Sequence, residues 1–244
     1  MAYTIIRENW MFENDWAILK VQIRIALKER FYFIYTLIVP IFMVFINKNQ
    51  DLQDNESLYI YWSYIVVTTV FNGFLINLIR LREGGFFKTL TYLMGSRHSI
   101  VLANLLVQFF VIQLEIFLFN LVVTIFITHV SAITFLYGFL VSFLAALLCS
   151  AMMSGLLLLR MKQVYFNLLI SCFFILGIGL LGIRPHGILN YVLTMINPFQ
   201  LIYGLYVVHC TSGFYIIFIS LCVVGYLIMG GLIFRNISVK NRLK

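Results

Sequence analysis

Residues 100–127 read IVLANLLVQFFVIQLEIFLFNLVVTIFI, an unbroken apolar run whose one charged side chain is Glu115. A helix rises about 1.5 Å per residue and the hydrocarbon core of a bilayer is about 30 Å thick, so a run of this length can cross it. Comparable runs lie at 31–46, 58–79, 133–159, 165–182 and 213–234, giving six expected spans. Composition agrees: 62% of the 244 residues are hydrophobic and 11% charged, whereas a soluble domain carries roughly a quarter charged residues. Helices close their own backbone hydrogen bonds in lipid, and the alternating ten-residue segments of a β-barrel are absent. The fold class expected is all-α, polytopic and membrane-embedded.

Charge placement sets the expected orientation. When the six spans are threaded, fifteen of the 17 lysines and arginines fall on one side. They lie in the N-terminal stretch (Arg7, Lys20, Arg24, Lys28, Arg30), in 80–99 (Arg80, Arg82, Lys88, Arg97), after the fourth span (Arg160, Lys162) and in the tail (Arg235, Lys240, Arg242, Lys244). Only Lys48 and Arg184 fall on the other side, where the 47–57 loop is acidic (Asp51, Asp54, Glu56). Cationic loops stay cytoplasmic, so both ends are expected inside the cell. The net charge of +8 then reflects topology, and nucleic-acid binding is not expected. The organisation expected is an interfacial segment 1–30, a six-span domain 31–234 and a basic tail 235–244. The first thirty residues are mixed and polar (Arg7, Glu8, Glu13, Asp15, Lys20), so the first span is expected to act as an uncleaved anchor. Pro40 within it implies a kink.

Residues 186–209 are apolar enough to suggest a seventh span. Crossing there would put the cationic tail outside and Asn197-Pro198 in mid-membrane, where Pro lacks a backbone donor and disfavours helix at the residue before it. A re-entrant or interfacial pair of short helices within 183–212 on the outer side fits better.

Chemical motifs are mostly missing. No Gly-x-x-x-x-Gly-Lys-Ser/Thr phosphate loop and no His-Glu-x-x-His zinc motif occurs. Met152 replaces the first Gly of a Gly-x-Ser-Gly pattern at Ser154-Gly155, and His98, His129, His186 and His209 all lie at loops or span ends. No base is placed at depth to activate that serine. Cys149, Cys172 and Cys222 fall inside spans and Cys210 near one end, without a Cys-x-x-Cys pair. No catalysis, resident cofactor or metal is expected on this chain.

Four elements carry information. In 14–30, Lys20, Arg24 and Lys28 recur every four residues beside an apolar stripe of Leu19, Ile23, Ala26 and Leu27. That is an amphipathic basic helix on the membrane surface, acting either as an anchor or as a lever against a cytoplasmic partner. In 80–99, Gly84-Gly85 breaks the preceding helix, and a short helix from Phe86 to Met94 puts Phe86, Leu90 and Leu93 on one side. It either inserts into a groove on another protein or lies on the bilayer. In the third span, Asn104, Gln108 and Glu115 fall within about 40° of one another around the helix. An intramembrane carboxylate is a functional candidate, or an interhelical hydrogen-bonding group. In the fourth span, Ser142, Ala146, Ser150 and Ser154 form a small-residue packing seam. Tyr59, Tyr61, Trp62 and Tyr64 open the second span, as rings that favour the membrane–water interface do.

The order of elements resembles the permease subunits of the ABC-2 type exporter family. The matching residues are Lys20 to Arg30, Pro40, Arg82-Glu83-Gly84-Gly85 with Thr89-Leu90 and Ser96-Arg97, and Asn197-Pro198; Gly95 departs from the family, where relatives often have Pro. The resemblance implies that the inner loop (Arg82, Glu83, Gly84, Gly85, Phe86, Phe87, Leu90, Leu93) is a coupling helix docked in a separate ABC ATPase. It also implies that the segment carrying Lys20, Arg24 and Lys28 is a connecting helix, and that Asn197-Pro198 belongs to an outer re-entrant segment. Two ATPase copies, which hold ATP and Mg, and two permease chains, identical or homologous, would form the working unit in a bacterial plasma membrane. The cargo expected is amphipathic or hydrophobic: a peptide toxin or antimicrobial, a drug, or a lipid-linked molecule. Two other functions stay open: an ion-gradient-driven transporter using Glu115, and a non-transporting immunity or scaffold protein.

Overall fold

The computed structural model describes residues 19–25, 28, 30–47, 56–94, 97–127, 129–159, 161–181, 187–211 and 213–236. Most of the 1–30 segment, the acidic 48–55 stretch, residues 95, 96 and 182–186 and the tail from 237 lie outside the described residues. The described chain is 93% helix without strands. After a helical segment at 19–25 come α1 (Arg30–Ile46), α2 (Ser57–Glu83), α3 (Phe86–Met94) and α4 (Arg97–Phe126). They are followed by α5 (Ala132–Met153, extended by a 3-10 turn over Ser154–Leu158), α6 (Gln163–Leu181), α7 (Ile188–Ile196), α8 (Pro198–Val207) and α9 (Gly213–Asn236).

Helices α2, α4, α5, α6 and α9 are each long and apolar enough to cross a membrane. Helix α1 is a shorter apolar helix that runs on through Pro40. The chain is read as a multi-pass membrane protein on this helix length and composition. Helices α7 and α8 meet at 111°, a sharp corner that a single straight span would lack.

α2 is the axis of the bundle. Its apolar stretch is 83% buried, against 17% for α6 and α9, which keep most of their surface turned outward. It packs against α1, α4, α5 and α8. Its first turns carry Tyr59, Tyr61, Trp62 and Tyr64, all buried. Tyr59 and Trp62 pack with Tyr137, Tyr206 and His209 inside the bundle. Gly138 of α5 leaves the room that Trp62 fills. Trp62 Nε1 donates to Asn120 Oδ1 at 2.8 Å, satisfying the indole inside the bundle.

The small-residue seam of α5 is interior throughout: Ser142, Ala146, Ser150 and Ser154 are all buried. The three serine hydroxyls return to carbonyls of their own helix, at Phe139, Leu147 and Ala151. Neighbouring Ala151 sits against Gly230 of α9, where a Cβ would fall 2.6 Å from the Ala151 Cβ. Small residues let the two helices approach to contact distance.

The α7–α8 corner is held by Asn197. Its Oδ1 caps α8 by accepting from Phe199 N at 3.1 Å, and its Nδ2 donates to Gly177 O of α6 at 2.9 Å. Pro198 occupies the first turn of α8, where its missing N–H goes unneeded. Gly177 is required there, because a Cβ would meet the Phe199 ring at 2.7 Å. Tyr226 of α9 donates to Met195 O at 2.6 Å and ties down the other limb.

Candidate functional site: an intramembrane carboxylate and an end brace

Helix α4 turns its polar face onto α2 and α1. Between Thr69 and Asn77, α2 contains a π-helical turn, Val70–Ile76, a geometry rare enough to mark functional positions. The polar residues of α4 line up against this turn. Asn104 donates to Phe74 O at 3.2 Å and accepts from Asn77 Nδ2 at 3.0 Å, while Asn77 also donates to Gln22 Oε1 at 3.0 Å. Gln108 lies over Gly73, where any Cβ would collide with its amide. Glu115 is 1% exposed and is held by two hydroxyls from two helices. Thr36 of α1 donates to Oε1, and Thr69 of α2 donates to Oε2 at 2.5 Å.

The three polar residues expected on one face of this helix are therefore brought together, all facing α2. Their partners are not identifiable from any one segment alone. Thr36, Thr69, Asn77 and Gln22 are each unremarkable within their own segments and become partners only once α1, α2 and α4 pack. The signal available was complementarity: Thr69, Asn72, Gly73 and Asn77 form a polar strip inside an otherwise apolar span.

A cavity of about 660 Å³ opens beside this cluster. Its floor is the π-helical turn and its walls are α1, α4 and Ile23 of the 19–25 segment. Glu115, Gln108, Asn72, Thr36 and Thr69 supply the polar lining, and the remainder is apolar. Its rim includes Ile34, Phe110 and Leu114, which are exposed and turned away from the bundle.

The second constellation lies at the Glu83 end of α2. Arg82 points back into the fold: Nη1 donates to Leu157 O at 2.8 Å and Nη2 to Leu159 O at 3.2 Å. A cation thereby meets the orphan carbonyls at the end of the α5 3-10 turn. Glu83 accepts from Gln163 N at 2.5 Å, an anion at the start of α6. Two adjacent side chains of α2 thus clamp the outgoing end of one helix and the incoming end of the next.

Gly85, at φ 72°, makes the left-handed turn that ends α2, and α3 begins directly after it with the bounds expected, Phe86–Met94. Of the side expected to carry Phe86, Leu90 and Leu93, Phe86 is exposed and Leu90 is turned to the core. Phe87 is buried and Leu90 packs on the core, whereas Phe86 and Tyr92 are 64% and 78% exposed. Contact with the start of α4 chooses this side. The Leu93 side chain lies outside the described residues. Exposed Lys88 sits 5.8 Å from the Tyr92 ring centroid on one side of the helix, and Phe86 is exposed on another.

Lys20, Arg24 and Lys28 are all exposed. The residue that fixes their segment is Gln22, 1% exposed and bonded to Asn77; Ala26 and Leu27 of the apolar stripe lie outside the described residues. Among the described residues no group of three His, Cys, Asp or Glu is placed to hold a metal. No family model, curated protein or solved structure matches this chain.

Proposed function

We propose that this chain is the transmembrane permease subunit of an ATP-driven exporter of the ABC-2 type, moving an amphipathic or hydrophobic cargo out of the cell. The observation that carries this reading is the construction of α3. It is a short helix at the end of the central helix, anchored by Phe87 and Leu90, and it offers Phe86, Lys88 and Tyr92 to a partner. Because Arg82 and Glu83 grip the ends of α5 and α6, a push on α3 moves α2, α5 and α6 together. Packed elements of this kind shift as bodies. The chain carries no phosphate loop, so nucleotide and Mg belong to the ATPase that docks on this face. The cationic side becomes cytoplasmic, the α7–α8 corner becomes the outer re-entrant segment, and a second permease chain completes the path.

The test is purification of the tagged chain from its native membranes, with identification of what accompanies it. A protein bearing the phosphate-loop motif, lost when Phe86→Asp and Tyr92→Asp are introduced together, is the expected outcome. A chain that purifies without any nucleotide-binding subunit, yet transports in vesicles, contradicts the reading.

One observation favours a second reading, an ion-gradient-driven transporter. The Thr36 hydroxyl carries a single proton and lies within reach of Glu115 and of the Tyr32 and Phe33 carbonyls, at 2.9 and 3.0 Å. It can donate to an ionised Glu115, or accept from a protonated one while donating to its own helix. Transport driven by a proton gradient with no ATP would select that reading.

A further inference from the structure

The cavity beside Glu115 has the composition of a ligand site of one charge. Its volume, about 660 Å³, lies in the range of small-molecule pockets, about 300–1,000 Å³, which combine apolar walls with a few convergent polar groups. Among the described residues Glu115 is the only charged one in the lining, and no basic side chain contributes to it. The two threonine hydroxyls take one lone pair on each oxygen, and an ionised carboxylate has about four acceptor sites. About two are therefore left for a donor. The Asn72 and Gln108 amides line the same hollow and have no hydrogen-bond partner among the described residues.

The walls specify the rest of the ligand. Tyr32 and Phe33 of α1 and Phe110 of α4 line the cavity, supplying apolar surface and ring faces that attract a cation. The exposed rim at Ile34, Phe110 and Leu114 opens sideways, so an occupant arrives from the hydrocarbon or from the seam with a neighbouring chain. A carboxylate at this depth needs a proton or a cation beside it, and among the described residues no Lys, Arg or His lines the cavity.

We infer that this cavity binds an amphipathic molecule through an ammonium group, with the Glu115 carboxylate as its counter-ion and Gln108 and Asn72 as neutral hydrogen-bonding partners. The apolar body of the ligand lies along α1 and α4. The inference builds on the permease reading by giving the cargo a charge. Its test needs no ATPase, so failure of one is distinguishable from failure of the other.

The full chain is placed in nanodiscs of phosphatidylcholine, which has no N–H donor, and titrated with dodecylammonium, dodecanol and dodecanoate. Binding is read as the saturable part of uptake of each labelled amphiphile over empty discs. Dodecylammonium is expected to bind wild type saturably, and about ten-fold more weakly to Glu115→Gln, the least that loss of a desolvated charge pair costs. Dodecanol is expected to bind both forms alike. Gln108→Leu is expected to weaken the ammonium alone, by about three-fold. Repeating the titration with phosphatidylethanolamine in the discs separates two sources of the group. Competition assigns the ammonium to a lipid and its absence to a diffusing cargo; either supports the site. Equal dodecylammonium affinity for wild type and Glu115→Gln, or dodecanoate binding as tightly as dodecylammonium, overturns it.

Discussion

Thr69 and Glu115, 46 residues apart in the chain, meet at 2.5 Å inside the bundle, the hydroxyl donating to Oε2. Thr36 closes on the other oxygen from a third helix, so one carboxylate holds α1, α2 and α4 in register. Interhelical hydrogen bonds in membranes contribute about 0.6 kcal/mol on average and up to about 2. Thr69→Val and Thr36→Val should each cost about 1 kcal/mol of stability, measured by thermal unfolding in detergent. On Glu115→Ala both substitutions should lose most of their effect, since the shared acceptor is gone. Additive losses would show that the hydroxyls act elsewhere.

Gly73 and Gln108 form a steric lock in the same region. Because a Cβ at position 73 collides with the Gln108 amide, Gly73→Ala should destabilise by about 1–3 kcal/mol. Gln108→Ala empties the space, and the double variant should recover much of the loss. A Gly73→Ala protein as stable as wild type would mean that the π-helical turn rearranges freely.

The brace at the Glu83 end makes Arg82 structural as well as mechanical. Arg82→Ala strands two carbonyls at the end of α5 and should cost about 1–3 kcal/mol. Arg82→Lys should fall between Ala and wild type, because an ammonium cannot reproduce the planar fork across Leu157 O and Leu159 O. Trypsin cleavage at Lys162 in detergent reports the same event: faster cutting in Arg82→Ala is expected. Unaltered cutting and unaltered melting together would remove the brace from the account.

Asn197 makes two bonds that no other side chain of its size reproduces in that corner. Asn197→Ala should cost about 1–2 kcal/mol, the usual loss for a helix cap with a buried partner. Asn197→Asp keeps the cap but loses the donor to Gly177 O, so it should not rescue. Full rescue by Asp would mean the bond to α6 is dispensable.

Much of the fold is legible in the sequence because hydrophobic length is a strong signal. The runs at 58–79, 100–127, 133–159, 165–182 and 213–234 all reappear as helices, and Asn197-Pro198 marks the α7–α8 corner. Side-chain partners are less legible. The Arg82 and Glu83 pair reads locally as the charged start of a loop, but α2 continues helical to Glu83 and both residues turn inward. Their targets are backbone atoms of α5 and α6, which carry no residue-type signature. The side of α3 that packs inward is not legible for a related reason. A nine-residue helix with apolar residues at 86, 87, 90 and 93 has two plausible buried faces, and packing against α4 selects Phe87 and Leu90. At Glu115 the polar face was periodic and readable, while the cage was not, because threonine is common in apolar spans and bonds back to its own helix by default.

The central claim is that a nucleotide-driven partner grips α3, and photocrosslinking from Tyr92 tests it most directly. With p-benzoylphenylalanine in place of Tyr92, irradiation of native membranes should join the chain to a protein carrying a phosphate loop. The same probe at Ile133, exposed on the first turn of α5, should not. Tyr92 crosslinks that reach only lipid, or that match those from Ile133, would contradict the account.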